Sequence, residues 1–178
     1  SAISGNVTRA TGSTVNLVNT LDLATGSYDL GAAGNIGSLV LLNNAAVQNG
    51  TLLTTNATSA TLASFANVTF TGVTLGNGTA NSGNVTANNG ADLFIGSGGL
   101  DLNAGKITLN DQGSTTTLTL LGNGTQQLRG SGEVIFGGTS SAGIVSSSAA
   151  GSTLDIAAGI LIHGTRHGTV GAAALGLA

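Results

Sequence analysis

The sequence predicts an all-β chain wound as a parallel β-helix, a solenoid of about seven or eight coils, on three observations. The first is a short pattern of apolar, variable, apolar residues repeated at intervals of seven: Leu93-Phe94-Ile95, Leu100-Asp101-Leu102 and Ile107-Thr108-Leu109. In an extended strand successive side chains alternate faces, so each triplet sends two apolar groups one way and its middle residue the other. The second is the spacers, Gly96-Ser97-Gly98-Gly99 and Asn103-Ala104-Gly105-Lys106. They are bend residues, and they are too short to hold a crossover helix. The third is a longer period: Val68, Leu93, Leu118 and Ile144 follow one another at nearly even steps of about 25 residues. Each strand is therefore expected to stack on the one a full turn earlier, as in repeat proteins that bury their apolar face only against neighbouring repeats. An antiparallel sandwich or barrel would also have many short strands, but its strands run nearer 5 or 6 residues, whereas these triplets allow about 3 to 5. At roughly 4.8 Å per coil the solenoid would be a rod on the order of 35 Å tall.

The strand candidates run the length of the chain. Val15-Asn16-Leu17, Leu21-Asp22-Leu23 and Tyr28-Asp29-Leu30 come first, with Ala24-Thr25-Gly26-Ser27 as a bend between the last two. Leu39-Val40-Leu41, Val47 and Leu52-Leu53 follow, divided by Asn43-Asn44 and by Asn49-Gly50, a strong two-residue turn signal. Leu62, Phe65, Val68-Thr69-Phe70 and Val73-Thr74-Leu75 form a dense apolar cluster closed by Gly76-Asn77-Gly78, and Val85 stands alone among polar residues. Beyond the three central triplets come Leu118-Thr119-Leu120, Leu128, Val134-Ile135-Phe136, Ile144-Val145, Leu154-Asp155-Ile156 and Ile160-Leu161-Ile162. Apolar residues fall at i and i+2, not at the spacing of an amphipathic helix, and only Ala172-Ala173-Ala174-Leu175 is a candidate helical turn.

Composition narrows the function. Gly is 30 of 178 residues and Thr is 25; Pro, Cys, Met and Trp are absent; charged residues are 6%, against roughly a quarter in ordinary globular chains. With 40% hydrophobic residues the chain is unlike a charged disordered segment and is expected to fold, as one domain over 1–178. Zero cysteine leaves no disulfide framework or thiolate metal site. A net charge of −3 and five aromatics supply neither the cations nor the stacking residues of a nucleic-acid binder. Runs such as Leu39-Val40-Leu41-Leu42 are far short of the roughly 18 residues of a membrane-spanning helix. Ser1 is not an initiator Met and no leader-like pattern follows it, so the chain is expected to be a processed or excised segment.

From Leu128 the residues run Leu-Arg-Gly-Ser-Gly-Glu-Val-Ile-Phe-Gly-Gly to Gly138, followed by Gly151-Ser152-Thr153-Leu154-Asp155-Ile156 and Ile160-Leu161-Ile162-His163-Gly164-Thr165. This resembles the degenerate repeats of the filamentous-haemagglutinin-like and autotransporter-passenger β-helix proteins, very large secreted bacterial surface proteins. The match covers roughly Thr115 to Gly171, and the earlier part agrees in composition and rhythm. The resemblance implies a right-handed β-helix, export to the bacterial cell surface, and a role as adhesin or fibre shaft. There is no Asn-Pro-Asn-Gly-Ile-like secretion signature and no terminal barrel segment, so an internal shaft piece is expected. The expected partners are copies of itself end to end, or flanking coils of the same chain, and surface glycans or proteins of a host or neighbouring cell.

Candidate chemistry is sparse, and no catalytic, cofactor or metal site is assigned. His163 and His167 have a spacing that binds zinc on a helix, but here they straddle a bend containing Gly164. Asp22, Asp101 and Asp155 sit mid-triplet, where they serve to solvate the outer face; a carboxylate pair for glycoside cleavage, or calcium ligation, is the alternative use. A carbohydrate-active β-helix would need clustered acids, a base and aromatics, and the chain offers Arg9, Lys106, Arg129 and Arg166 with Tyr28 as its one polar aromatic. Thr115-Thr116-Thr117-Leu118-Thr119 and Thr69-Phe70-Thr71 would set threonines in outward ranks, as in an ice-contacting or surface-array solenoid, although Thr is also a good exposed strand residue. Asn-x-Thr sequons begin at Asn6, Asn56, Asn67, Asn77, Asn84 and Asn123, too few above chance in so Asn- and Thr-rich a chain to carry a claim of glycosylation. Asn and Ser at the bends are expected to stack in ladders or bond to the backbone. The reading is thus non-catalytic, structural and adhesive.

Overall fold

A computed structural model of the chain describes residues 14–32 and 35–172. The first turn holds β1 (Val15–Leu17), β2 (Thr20–Asp22) and β3 (Ser27–Asp29). Next come β4 (Leu39–Leu41) and β5 (Ala46–Leu53), then β6 (Ala60–Leu62) and β7 (Asn67–Leu75). The middle of the chain forms β8 (Asn84–Asn88), β9 (Asp92–Ile95), β10 (Leu100–Asn110), β11 (Thr116–Leu120) and β12 (Thr125–Phe136). It closes with β13 (Gly143–Ser147), β14 (Thr153–Ile156), β15 (Gly159–Gly164) and β16 (Gly168–Ala172). Every strand pair among the described residues is parallel. The described residues form an all-β parallel solenoid of about six turns.

Three faces build each turn. On the first, the inward residues Val15, Leu39, Ala60, Val85, Ile107, Val134 and Ile162 stand one above another, and the turns between them are uneven in length. The second stacks Val68, Leu93, Leu118, Val145 and Val170, with Leu21, Val47, Phe70, Ile95 and Leu120 beside them. The third stacks Leu100, Leu128 and Ile156. The three central triplets lie in β9 and in the two halves of β10, so the seven-residue interval carries the chain from one face to the next, and three faces with their corners make one turn. Alternation holds along each face and slips by one residue at the corner: β7 buries Val68 and Phe70, then Val73 and Leu75, and β10 buries Leu100 and Leu102, then Gly105, Ile107 and Leu109. Each buried Leu, Ile, Val or Phe contributes about 1.5 to 3 kcal/mol relative to exposure.

Four details depart from expectation. Leu118 pairs with Val145, the residue after Ile144, so the last step of that column is longer than the sequence suggests; Ile144 pairs with Thr117 on the outer side, while Val145 is fully buried. Asn103 to Lys106 does not interrupt the strand. Ala104 takes a left-handed φ of 60° and drops out of the register between Asn103 and Gly105, a bulge that turns the corner while β10 and β12 stay hydrogen-bonded on both sides. Asn49-Gly50 likewise lies inside β5, with Asn49 at φ 58°, where its turn chemistry makes a solenoid corner instead of a hairpin. Phe65, expected in the apolar cluster, is 65% exposed at φ 59°, at a corner with its ring over Gly90 of the next turn. The candidate helical turn at 172–175 lies outside the described residues except for Ala172, the last residue of β16.

Candidate functional site

Parallel stacking makes neighbours of residues a full turn apart in the chain, so any site on this molecule is a column, not a sequence motif. The most varied column lies on the first face beside the corner at Ala104. Asn84, Lys106, Glu133 and Leu161 stand in register on successive strands β8, β10, β12 and β15. The bulge at Ala104 sets this alignment. Before it Asp101 pairs with Arg129; carried on unbroken, that register would set Lys106 opposite Val134, and the slip brings it opposite Glu133 instead. The exposed loop between β7 and β8 flanks the column, and a groove of about 290 Å³ runs between them, lined by Asn81, Ala104, Lys106, Glu133 and Leu161. Lys106 Nζ donates to Asn81 Oδ1 at 3.1 Å, and Glu133 Oε2 lies 3.4 Å from His163 Nε2. The groove thus offers one cation, one carboxylate, an amide and an exposed leucine. It is equipped to hold a small polar group, and it has a single acid where paired-carboxylate cleavage uses two.

The sequence-predicted residues disperse around the solenoid. His163 meets Glu133; His167 is exposed, and no group of three or more His, Cys, Asp or Glu gathers to hold a metal among the described residues. Asp22 is on the second face of the first turn; Asp101 aligns with Arg129, and Asp155 aligns with Gln127 on a later turn, so the three do not form a pair. Arg129 borders a second groove lined by Ser97, Gly99, Asn123, Gln126 and Gln127, with no carboxylate in its lining. Arg166 is exposed and Arg9 lies outside the described residues. Tyr28 packs against the core, and burial pushes its phenol above the ordinary range.

Threonine ranks form where the sequence did not mark them. In the 115–119 tract Thr116 points inward and is fully buried, satisfied by Gly90 N–H at 3.0 Å, while Thr117 and Thr119 face outward. Thr69 and Thr119 share a column, but Phe94 separates them. The continuous rank is Thr61, Thr86 and Thr108 on the first face, bounded by Val40 and Ile135.

Polar side chains mostly clip turn to turn. Asn67 N–H donates to Asn43 Oδ1 at 2.9 Å, and Asn89 Oδ1 accepts from Gln112 and Ser114 N–H at 2.7 and 2.9 Å. Asp29 accepts from Gly31 N–H, Thr55 N–H and Thr55 Oγ1 at 2.9, 3.1 and 2.6 Å. Partial burial pushes its carboxyl up, and the Thr55 hydroxyl and the two N–H groups outweigh that, leaving it below the usual carboxylate range. Asp22 is lowered too, by Ala24 N–H first and then the Gln48 amide. Sequence reasoning missed Asp111, which is wholly buried. Its Oδ2 accepts from Ser140 Oγ and, at 2.9 Å, from Ala142 N–H, its backbone oxygen accepts from Thr139 N–H at 2.7 Å, and its Oδ1 is without a hydrogen-bond partner among the described residues. Gly138 packs so closely on it that a Cβ there would lie 2.0 Å from the Asp111 carbonyl oxygen. No helix among the described residues is long and apolar enough to cross a membrane. No protein-family model, curated protein or solved structure matches the chain.

Proposed function

We propose that this chain is a non-catalytic shaft segment of a secreted bacterial surface fibre or adhesin. In this reading it is a single right-handed β-helical domain of seven or eight coils over residues 1–178, of the filamentous-haemagglutinin-like or autotransporter-passenger type. The observation that carries the reading is the state of the inner columns at the two ends of the described solenoid. Midway, Leu62, Leu93, Leu109 and Leu118 are fully buried, but Leu154, Ile156, Ile160 and Ile162 are partly uncovered and Val170 is 45% exposed; Val15 and Leu17 are partly uncovered at the other end. Among the described residues the last strands β14, β15 and β16 are paired on one side only. An apolar ledge edged by unpaired backbone groups favours the addition of another strand layer. Flanking coils or a second copy stacked end to end would supply one, and the grooves and corner loops are then the places to meet glycans or proteins of another cell.

Two other readings have local features on their side. The groove at Lys106 and Glu133 would suit a carbohydrate-active β-helix, which needs a further acid there. The Thr61, Thr86 and Thr108 rank would suit an ice-contacting array, which needs a wider flat lattice. Electron microscopy of the purified chain tests the proposal. Seven or eight coils at about 4.8 Å each predict filaments with an axial repeat of roughly 35 Å. Isolated short particles at every concentration would argue against assembly.

A further inference from the structure

Four asparagines precede glycine: Asn49-Gly50, Asn77-Gly78, Asn89-Gly90 and Asn123-Gly124. This dipeptide is prone to self-modification. The glycine backbone nitrogen, unshielded by a Cβ, attacks the asparagine Cγ, the new N–Cγ bond closes a five-membered succinimide, and the Cγ–Nδ2 bond breaks. The nitrogen loses its proton and ammonia leaves. One water then opens the ring at either carbonyl, giving aspartate or isoaspartate, with no change of oxidation state. Ring closure requires the side chain to swing onto the following nitrogen, so hydrogen bonds on either group oppose it.

Three of the four sites carry such restraints. Asn49 Nδ2 donates to Asp22 Oδ1 at 3.3 Å, and Gly50 is held in the ladder against Val73 with a would-be Cβ 2.4 Å from Gly26 O. Asn77 Oδ1 accepts from Thr79 N–H at 3.0 Å, and Gly78 N–H donates to Asn103 O at 2.9 Å. Asn89 Oδ1 holds two N–H groups, Gly90 N–H donates to Thr116 Oγ1 at 3.0 Å, and the Phe65 ring covers Gly90. Asn123 differs. It is exposed, and among the described residues neither its side-chain amide nor the Gly124 N–H has a hydrogen-bond partner. Gly124, at φ 75°, has nothing within 4 Å of where a Cβ would stand. Among the described residues Asn123 and Gly124 are tied only through their carbonyls, Asn123 O to Gln126 Nε2 at 2.8 Å and Gly124 O to Thr153 N–H at 3.0 Å. These leave the reacting atoms free.

We propose that Asn123 is the chain's site of spontaneous deamidation, through a succinimide with Gly124. The product carries a new carboxylate into the groove that Asn123 shares with Arg129, in a groove lining otherwise free of acids, and takes the net charge from −3 to −4. The test is peptide mass mapping, with isoaspartate labelling, of the full chain kept folded in mildly alkaline buffer. Asn123 is expected to convert at least roughly five-fold faster than any of the other three, the factor that one retained hydrogen bond of ordinary strength imposes. In urea the four should convert at comparable rates, and Gly124→Ala should slow Asn123 alone. The proposal is overturned if Asn49, Asn77 or Asn89 keeps pace with Asn123 in the folded chain. It is equally overturned if Asn123 stays an amide when folded yet converts when unfolded.

Discussion

Truncating two residues of one inner column should show how strongly position along the axis governs their worth. Leu118 lies between Leu93 and Val145 with no exposed surface, while Val170, two turns further on, is 45% exposed. Leu118→Ala removes three carbons from a site whose walls are hydrogen-bonded above and below and so cannot easily collapse. The transfer loss and the residual cavity together predict about 3 to 4 kcal/mol of destabilisation. Val170→Ala removes two methyl groups at about 0.8 kcal/mol each, of which roughly half is realised at that exposure, so about 0.8 kcal/mol is expected. Urea titration followed by circular dichroism gives both values, from midpoint shifts at unchanged slope. Equal costs for the two variants, or a Leu118→Ala cost below about 1 kcal/mol, would refute the stacked-column reasoning.

Other expected outcomes follow from single residues. Val145→Asp should prevent folding or cost more than about 4 kcal/mol, while Ile144→Asp, on the outer side, should cost less than about 1 kcal/mol; thermal melts that reverse this order would put the β11–β13 register one residue out. Phe65→Asn should raise stability by about 1 kcal/mol, because asparagine tolerates the left-handed backbone that phenylalanine occupies at φ 59°, and a loss of stability would mean the ring on Gly90 contributes more than the strain costs. Asp29 has a carboxyl held below its unfolded value of 3.8, so its contribution to stability is present above that pH and is lost as pH falls below it towards the folded pKa. Asp29→Asn should therefore lose less melting temperature than the parent between pH 6 and pH 3, and equal losses would show that the Thr55 clip is not linked to folding.

Much of the architecture was legible because parity is a strict rule. Each triplet with a polar or variable centre, such as Leu100-Asp101-Leu102, declared which residues face in, and the even steps from Val68 through Leu93 to Leu118 are the true register. Ile144-Val145 was misread because two adjacent apolar residues flanked by Gly143 and Ser146 do not show which one faces inward. Asn49-Gly50 was ambiguous for a chemical reason: a left-handed residue serves a hairpin and a solenoid corner equally well. Phe65 misled because its hydrophobicity says inside while its corner position puts it outside. The groove was nearly invisible in sequence. Lys106 and Glu133 stand opposite each other only because Ala104 is squeezed out of register, and nothing in Asn103-Ala104-Gly105-Lys106 announces the slip. Asp111 had no signal beyond being an acid after a strand, since Gly138, Ser140 and Ala142, which enclose it, lie one turn on.

The stacking of turns can be read in solution by nuclear Overhauser contacts between backbone protons of the labelled chain. Thr86 should show amide-to-α-proton contacts towards the strands of both Thr61 and Thr108, which flank it one turn away on either side, in the one-directional sequence of parallel strands. Close α-to-α proton contacts across those pairs, the mark of strands running in opposite directions, or contacts with other segments, would contradict the solenoid.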